Sequence, residues 1–177
     1  MPWKNGRGTT LELATDAPAS DPNAWTWRLS IADVPERGPF SRLPGVDRAI
    51  ACLVGDGLRL LRGARVDEVP TRGLALAFAG EEEVEGEPSG PGVRDVNLML
   101  RRGVHRGRLR VERGRGDAAE AGIVVIHAFT APLAVELGRS SLRLETGSTL
   151  VAAGSLRWST GPDAVTVVAE IDPSPRS

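Results

Sequence analysis

The chain has 177 residues, a formal net charge of −1, 41% apolar residues and 25% charged residues. This length suits one domain, or two small domains merged into a compact unit, and is enough to bury a core without crosslinks. The near-neutral charge excludes a general electrostatic attraction to nucleic acids or membranes, and the single cysteine excludes an internal disulfide.

The start of the chain and its apolar runs predict a soluble, cytoplasmic protein. The sequence opens on Pro2-Trp3-Lys4 rather than on an apolar run behind a basic start. No apolar stretch approaches the roughly 18–20 residues that span a bilayer. Cys52 fits a reducing compartment, and because it lies in the apolar run 49–54 we expect a small buried side chain rather than a nucleophile.

Short apolar runs between 21 glycines and 13 prolines predict a protein built mainly of strands. Trp27, Leu29 and Ile31 alternate with Arg28 and Ser30, the period of two that is typical of a strand. Helical character is confined to one turn at residues 117–121. The predicted strands cover residues 25–32, 46–54, 57–62, 73–78, 94–101, 107–112, 122–129, 132–137, 141–145, 148–153 and 163–171.

Several segments carry a more specific expectation. The apolar run 122–129 predicts a strand covered on both faces, and residues 131–144 predict a hairpin. The acidic run 81–87 predicts a solvated loop. The chain is expected to be one compact unit. Because both of its halves are rich in strands, a diverged duplication is the alternative, with halves of about 1–103 and 104–177.

Residues 101–116 contain seven arginines and His105. Because Arg106, Arg108 and Arg110 alternate with less polar residues, this stretch is expected to be an exposed or edge strand. An RNA-binding patch is the alternative, disfavoured by the neutral overall charge and the lack of interleaved aromatic residues. A protein-interaction strand is a further alternative.

The motifs of common enzymes and metal sites are missing from the sequence. The chain has two histidines, His105 and His127, and lacks a Cys pair for zinc, a phosphate-binding loop and a nucleophile elbow. We therefore expect no metal and no cofactor, and a structural role for His127 in a buried strand. General acid or base chemistry would fall to Asp, Glu or the single lysine, Lys4.

Two predicted strands carry polar residues on one face, namely Arg28 with Ser30, and Asp95 with Asn97 and Arg101. That face either meets solvent, as is common for antiparallel sheets, or lines the mouth of a barrel as a small-molecule site. Arginines in such a site favour a carboxylate ligand, because the guanidinium group binds it in a bidentate fashion.

Four ordered blocks within residues 2–103 resemble the HutD/Ves family. They are Pro2-Trp3-Lys4-Asn5-Gly6-x-Gly8-x-Thr10, Trp27-Arg28-Leu29-Ser30-Ile31-Ala32, Gly38-Pro39-Phe40-Ser41-x-x-Pro44-Gly45-x-Asp47-Arg48, and Asp95-Val96-Asn97-Leu98-Met99-x-Arg101-Arg102-Gly103. The resemblance implies an all-β, cupin-like sandwich or barrel, described as a compact double cupin. It also implies an association with histidine utilisation or stress response, without an established catalytic activity.

The resemblance further implies a regulatory or ligand-binding role, for an acidic intermediate of histidine breakdown such as urocanate or formylglutamate. Two positions depart from the family pattern: Arg7 replaces a third glycine, and Leu11 replaces a frequent arginine. Family members also carry a strand before the Pro-Trp-Lys block. Either that strand is lost here or the start lies further upstream, and the vacated sheet edge would be open to a second copy in a homodimer.

The resulting hypothesis is a metal-free binding protein for a small anionic metabolite. Asp47 and Arg48 are expected to form a structural turn and ion pair. A cofactor-free isomerase or hydrolase that uses Lys4 or Asp95 is the alternative. Trp3 would wall the mouth of the cavity, and the polar contacts would come from Lys4, Asn5, Arg28, Ser30, Asn97 and Arg101.

Overall fold

The computed structural model describes residues 9–175, which form strands and no helix. The expected all-β architecture is therefore confirmed for this part of the chain. The strands are β1 (Thr10–Thr15), β2 (Trp27–Val34), β3 (Gly38–Pro39), β4 (Val46–Val54), β5 (Leu58–Arg62), β6 (Arg65–Glu68), β7 (Gly73–Leu74), β8 (Leu76–Ala79), β9 (Glu85–Pro88), β10 (Val93–Arg101), β11 (His105–Arg113), β12 (Gly116–Ala128), β13 (Leu133–Leu137), β14 (Ser140–Leu144), β15 (Thr149–Ser159) and β16 (Val165–Pro173).

The strands form three antiparallel sheets. A five-stranded sheet has the order β1-β2-β10-β4-β8, and a four-stranded sheet has the order β3-β9-β5-β6. A seven-stranded sheet has the order β14-β13-β15-β12-β16-β11-β7. Apart from β7, the seven-stranded sheet takes its strands from residues after 104.

Alternation along the strands divides the buried side chains into three clusters. Leu29 and Leu98 of the five-stranded sheet pack with Val125 and Val167 of the seven-stranded sheet. The opposite face of the five-stranded sheet contributes Ile50, Cys52 and Phe78 to a second cluster with Leu58 and Leu60 of β5. A third cluster covers the other face of β12 and β16. The five-stranded sheet is therefore covered on both faces.

Most predicted strands are confirmed, with ends shifted by a few residues. The expected hairpin is formed by β13 and β14. The strand β12 is covered on both faces, as expected. Residues 117–121, where the sequence allowed one helical turn at most, belong instead to β12, whose register shifts there. The prediction of a loop over residues 81–87 is wrong for residues 85–87, because Glu85–Pro88 forms β9 and pairs with β3 and β5.

The arginine-rich stretch forms β11, which pairs with β16 along its whole length and with β7 at two residues. Arg108 and Arg110 make ion pairs with the buried Glu170 of β16. These contacts give the two arginines a structural role. No helix within residues 9–175 is long and apolar enough to cross a membrane.

Candidate functional site

The sequence brings a set of polar side chains to one face of the five-stranded sheet. Ser30 of β2 lies directly opposite Glu12 of β1 and Asn97 of β10. Asn97 lies in turn opposite Ile50 of β4. Because neighbouring residues in register share a face, Glu12, Ser30 and Asn97 point away from Leu29, toward the four-stranded sheet. We call this side of the sheet the inner face.

The neighbouring rows of residues extend the same face. Met99 of β10 lies between Arg28 of β2 and Arg48 of β4 in register. Asp95 lies on the other side of Asn97, opposite Cys52 of β4. The inner face thus collects six polar side chains among apolar ones, which we call the polar cluster: Glu12, Arg28, Ser30, Arg48, Asp95 and Asn97.

Asp95 and Asn97 are the members of the polar cluster with a buried acceptor oxygen that lacks a partner, and the buried Nε atoms of Arg28 and Arg48 also make no hydrogen bond within residues 9–175. Asp95 and Asn97 are only 2% and 4% exposed. The Oδ1 atom of each has no hydrogen-bond partner among residues 9–175. A buried polar group left in this state costs about 1–3 kcal/mol, and it calls for an explanation such as a bound water or ion, strain or a catalytic role.

Burial raises the pKa of Asp95 to about 7, against the opposing attraction of the Arg48 guanidinium. The carboxyl therefore exchanges a proton near neutral pH. It can donate a hydrogen bond when protonated and accept one when ionised. This is the property required of a general acid or base, and it is also a property of a group that adapts to the ligand it meets.

Arg48 is 8% exposed and lies between two aromatic rings. Its Cζ atom is 5.2 Å from the ring centre of Phe40 and 4.8 Å from that of Phe78. Nη1 donates to the carbonyl oxygen of Ser41 at 3.3 Å. Burial lowers the pKa of Arg48 to about 10, so the group remains a cation at neutral pH.

The turn and ion pair expected of Asp47 and Arg48 are wrong. Both residues lie within β4, where consecutive side chains point to opposite faces. Asp47 instead pairs with Arg102, at 2.7 Å. Arg48 lies two residues after the buried Val46 and two before the buried Ile50, and this period of two is the signal in the sequence that places its side chain on their face of the sheet rather than in a turn.

Arg28 is partly exposed and lies on β2, next to the edge strand β1. Its side chain is 19% exposed, and its Nε atom lies 2.9 Å from Oε2 of Glu12, whose side chain is 39% exposed. Ser30, next along the same face, is buried. The structure thus brings Arg28, Ser30 and Asn97 together.

The remaining residues of the predicted site lie elsewhere. Arg101 is exposed at the end of β10, and its guanidinium lies 5.1 Å from the ring centre of Trp25. Trp3, Lys4 and Asn5 fall outside the described residues. The sequence-based hypothesis also named Asp95 as a base and did not assign Glu12 to the site.

The histidines and the cysteine lie apart from one another. Nδ1 of His127 is 3.0 Å from Oγ1 of Thr149, and burial lowers the pKa of this imidazole. Nε2 of His105 is 2.9 Å from Oγ1 of Thr26. Burial, with the nearby Asp95, raises the pKa of the Cys52 thiol. Among residues 9–175 no group of three or more His, Cys, Asp or Glu side chains is arranged to hold a metal ion.

Comparison with known proteins relates this architecture to one family. The family model described as HutD matches residues 1–169. A protein of Pseudomonas putida described as an uncharacterized 21.2 kDa protein in the hutC 3′ region is 39% identical over 150 residues, which are 81% of this chain and 76% of that protein. Protein Ves of Cronobacter sakazakii is 38% identical over 110 residues, which are 62% of this chain and 59% of that protein.

Solved structures show the same relationship. A conserved protein of unknown function from Pseudomonas aeruginosa PAO1 is 33% identical with a TM-score of 0.85, covering 97% of this chain and 93% of that one. HutD from Pseudomonas fluorescens SBW25 is 27% identical with a TM-score of 0.80, and the match covers 99% of this chain and 94% of that one.

The fold itself is shared more widely. A cupin 2 conserved barrel domain protein from Leptotrichia buccalis has a TM-score of 0.57 at 7% identity, covering 94% of this chain and 89% of that one. The expected cupin-like architecture is therefore confirmed. Because the family model extends over nearly the whole sequence, the chain belongs to the HutD family.

Proposed function

We propose that this protein binds a small anionic metabolite at the polar cluster, without a metal, and acts as a regulatory binding protein in histidine utilisation. The observation that carries this proposal is the presence of two arginines and two incompletely bonded acceptors, those of Asp95 and Asn97, on one covered face of a sheet. Small-molecule sites commonly consist of a few convergent polar groups within apolar surroundings.

Arg28 is the residue proposed to bind the ligand carboxylate. It already pairs with the carboxylate of Glu12 at 2.9 Å. Glu12 lies on the edge strand β1 and is partly exposed, so a ligand carboxylate can take its place without uncovering the core. A guanidinium group bound to a carboxylate by two parallel hydrogen bonds gives both strength and orientation.

The acceptor oxygens of Asp95 and Asn97 restrict the rest of the ligand. A ligand that carries an N–H or O–H donor would satisfy them, whereas a simple alkanoate would leave them unpaired. Urocanate and formylglutamate each combine a carboxylate with an N–H donor. The link of the HutD family to histidine utilisation makes these acids the first candidates.

A second candidate function is proton-transfer catalysis on the same acid. The observation that favours it is the pKa of about 7 of the buried Asp95, which suits a general acid or base at neutral pH. Incubating the protein with each acid and following the solution by proton NMR separates the two functions. A binding protein returns the acid unchanged, whereas an enzyme forms a product that is lost in Asp95→Asn.

Isothermal titration of urocanate and formylglutamate into the protein and into Arg28→Ala tests the binding function. Loss of an arginine that pairs with a ligand carboxylate costs about 2–5 kcal/mol, so affinity should fall by roughly 30-fold or more. Arg143→Ala is the matched control, because Arg143 is exposed on β14 and pairs with the exposed Glu145. Equal affinity of Arg28→Ala and Arg143→Ala would contradict the assignment of Arg28 to the site.

A further inference from the structure

Two arginines of the polar cluster lie in one row across the five-stranded sheet. In register, this row consists of Arg28 of β2, Met99 of β10, Arg48 of β4 and Phe78 of β8. Neighbouring strands are about 4.8 Å apart, so the backbones of the two arginines are separated by roughly 10 Å. The half-buried Met99 lies between them. The row is close to the end of the sheet, because β4 begins two residues before Arg48 and β10 ends two residues after Met99.

Arg48 is a buried cation whose hydrogen bonding is incomplete. The residue is only 8% exposed, and its buried Nε atom has no hydrogen-bond partner among residues 9–175. Nη1 donates to a neutral group, the carbonyl oxygen of Ser41. The rings of Phe40 and Phe78 attract the guanidinium group through their faces. A buried charge is costly unless it is both paired and hydrogen-bonded, so Arg48 lacks an anionic acceptor.

Asp95 attracts Arg48 but does not provide this acceptor. It lies opposite Cys52, which is four residues along β4 from Arg48, a distance of about 13 Å at the rise of a strand. With a pKa of about 7, the carboxyl of Asp95 is only partly ionised at neutral pH. Arg28, in contrast, has the carboxylate of Glu12 at 2.9 Å. The polar cluster therefore holds two cations and one closely paired anion.

Asn97 lies in the next row of the same face, two residues before Met99 on β10. Its Oδ1 atom is buried and has no hydrogen-bond partner in the described part of the chain. An acceptor in this position suits an N–H group located between two carboxylates that reach the two arginines. The three unfilled positions thus describe one ligand.

We propose that the polar cluster selects an acid with two carboxylates, one bound by Arg28 and the other by Arg48, whose N–H group donates to Asn97. This inference rests on the proposed function and narrows it. Formylglutamate has two carboxylates and an N–H group, whereas urocanate has a single carboxylate and leaves Arg48 unpaired. Each guanidinium group can bind a carboxylate by two parallel hydrogen bonds, so the second carboxylate adds both affinity and selectivity.

Isothermal titration of the parent protein with analogues of N-formyl-L-glutamate tests the requirement for two carboxylates. N-formyl-L-glutamine and N-formyl-L-isoglutamine each replace one carboxylate with an amide of nearly the same shape. We expect each analogue, and urocanate, to bind at least about tenfold more weakly than N-formyl-L-glutamate. This comparison does not depend on the folding of a variant.

Arg48→Gln tests the contact to the second carboxylate. In this variant, the preference for N-formyl-L-glutamate over one of the two amide analogues should disappear, because the charge that distinguishes carboxylate from amide is gone. The preference over the other analogue should remain, since Arg28 is still present. Arg143→Gln on β14 is the matched control and should keep both preferences. Thermal unfolding without ligand shows that each variant is folded.

The inference is overturned if either amide analogue or urocanate binds the parent protein as tightly as N-formyl-L-glutamate, or if folded Arg48→Gln keeps both preferences. If Arg28→Ala still loses affinity in that case, the proposed function stands and only the requirement for a second carboxylate is wrong. If none of these acids binds the parent protein, both the inference and the proposed function are wrong.

Discussion

The Asp95 carboxyl lies between Ala32 of β2 and Cys52 of β4, so that its neighbours across the sheet are small and weakly polar. Nearby charge is supplied by Arg48, which lowers the pKa of Asp95, and by Asp33, which raises it. Burial outweighs the attraction of Arg48 and leaves the pKa at about 7. The same sequence position in an exposed strand would carry an ordinary, permanently ionised aspartate.

This pKa predicts a pH-dependent contribution of Asp95 to stability. The folded-state value of about 7 lies above the unfolded value of about 3.9. The folded chain therefore retains a proton that the unfolded chain has released. The contribution of Asp95 to the free energy of unfolding is fully present below the unfolded pKa and is lost as the pH rises through about 7.

We expect Asp95→Asn, which cannot ionise, to gain stability relative to the parent protein as the pH rises. The difference in the free energy of unfolding should change by on the order of 3 kcal/mol between about pH 5 and about pH 8. Urea unfolding at several pH values measures it. Parallel stability curves for the two proteins would show that Asp95 titrates at its ordinary pKa.

The residues of the polar cluster were only partly predictable from sequence. Alternation with Trp27 and Leu29 places Arg28 and Ser30 on a common face. Alternation alone does not tell whether that face meets solvent or a second sheet. The turn expected at Asp47 and Arg48 is wrong because a nine-residue strand begins at Val46.

At the scale of the strands, hydrophobic alternation predicted the long elements and missed β1, β3, β6 and β9. These four contain two to six residues, and all but β1 are rich in charged residues, glycine or proline. Their pairing partners rather than their own side chains determine their conformation. Residues 117–121 are rich in alanine, which favours helix, yet they lie in β12 because their pairing with β15 holds them there.

The pairing of β11 with β16 leaves no room for a side chain at Gly107. A Cβ added there would lie 2.4 Å from the carbonyl oxygen of Glu170 and 3.2 Å from Cα of Ile171. Both are backbone atoms of the paired strand, so neither can move aside as a flexible side chain would.

We therefore expect Gly107→Ala to lower the free energy of unfolding by about 1–3 kcal/mol, the usual cost of an overpacked site. Gly161→Ala is the matched control, since nothing lies within 4 Å of its added Cβ. Denaturant unfolding of both variants provides the comparison. A Gly107→Ala variant as stable as Gly161→Ala would show that the two strands are further apart than described.

For the whole molecule, the decisive feature is that the five-stranded sheet lies between two others. One face supplies the core shared with the seven-stranded sheet, and the other supplies the polar cluster beneath the four-stranded sheet. The resemblance of four sequence blocks to HutD/Ves proteins predicted the cupin-like fold. The composition and spacing of strands alone would have left the choice between a sandwich and a barrel open.

A ligand that binds only the folded protein stabilises the whole molecule by mass action. At a free concentration of about 100 times its dissociation constant, an acid bound at the polar cluster adds about 2.7 kcal/mol. For a domain of this size that corresponds to a rise in the unfolding midpoint of roughly 5–11 °C. We expect this rise to increase with the logarithm of the ligand concentration once the site is saturated.

The same measurement tests whether the site uses a metal. The polar cluster offers two carboxyl groups, an amide and a hydroxyl group beside two guanidinium groups, which repel a cation. Thermal unfolding with formylglutamate or urocanate, before and after treatment with EDTA, should therefore give the same midpoint and the same ligand-induced rise. A midpoint lowered by EDTA and restored by a divalent metal would show that a metal contributes to the folded state and would contradict metal-free binding.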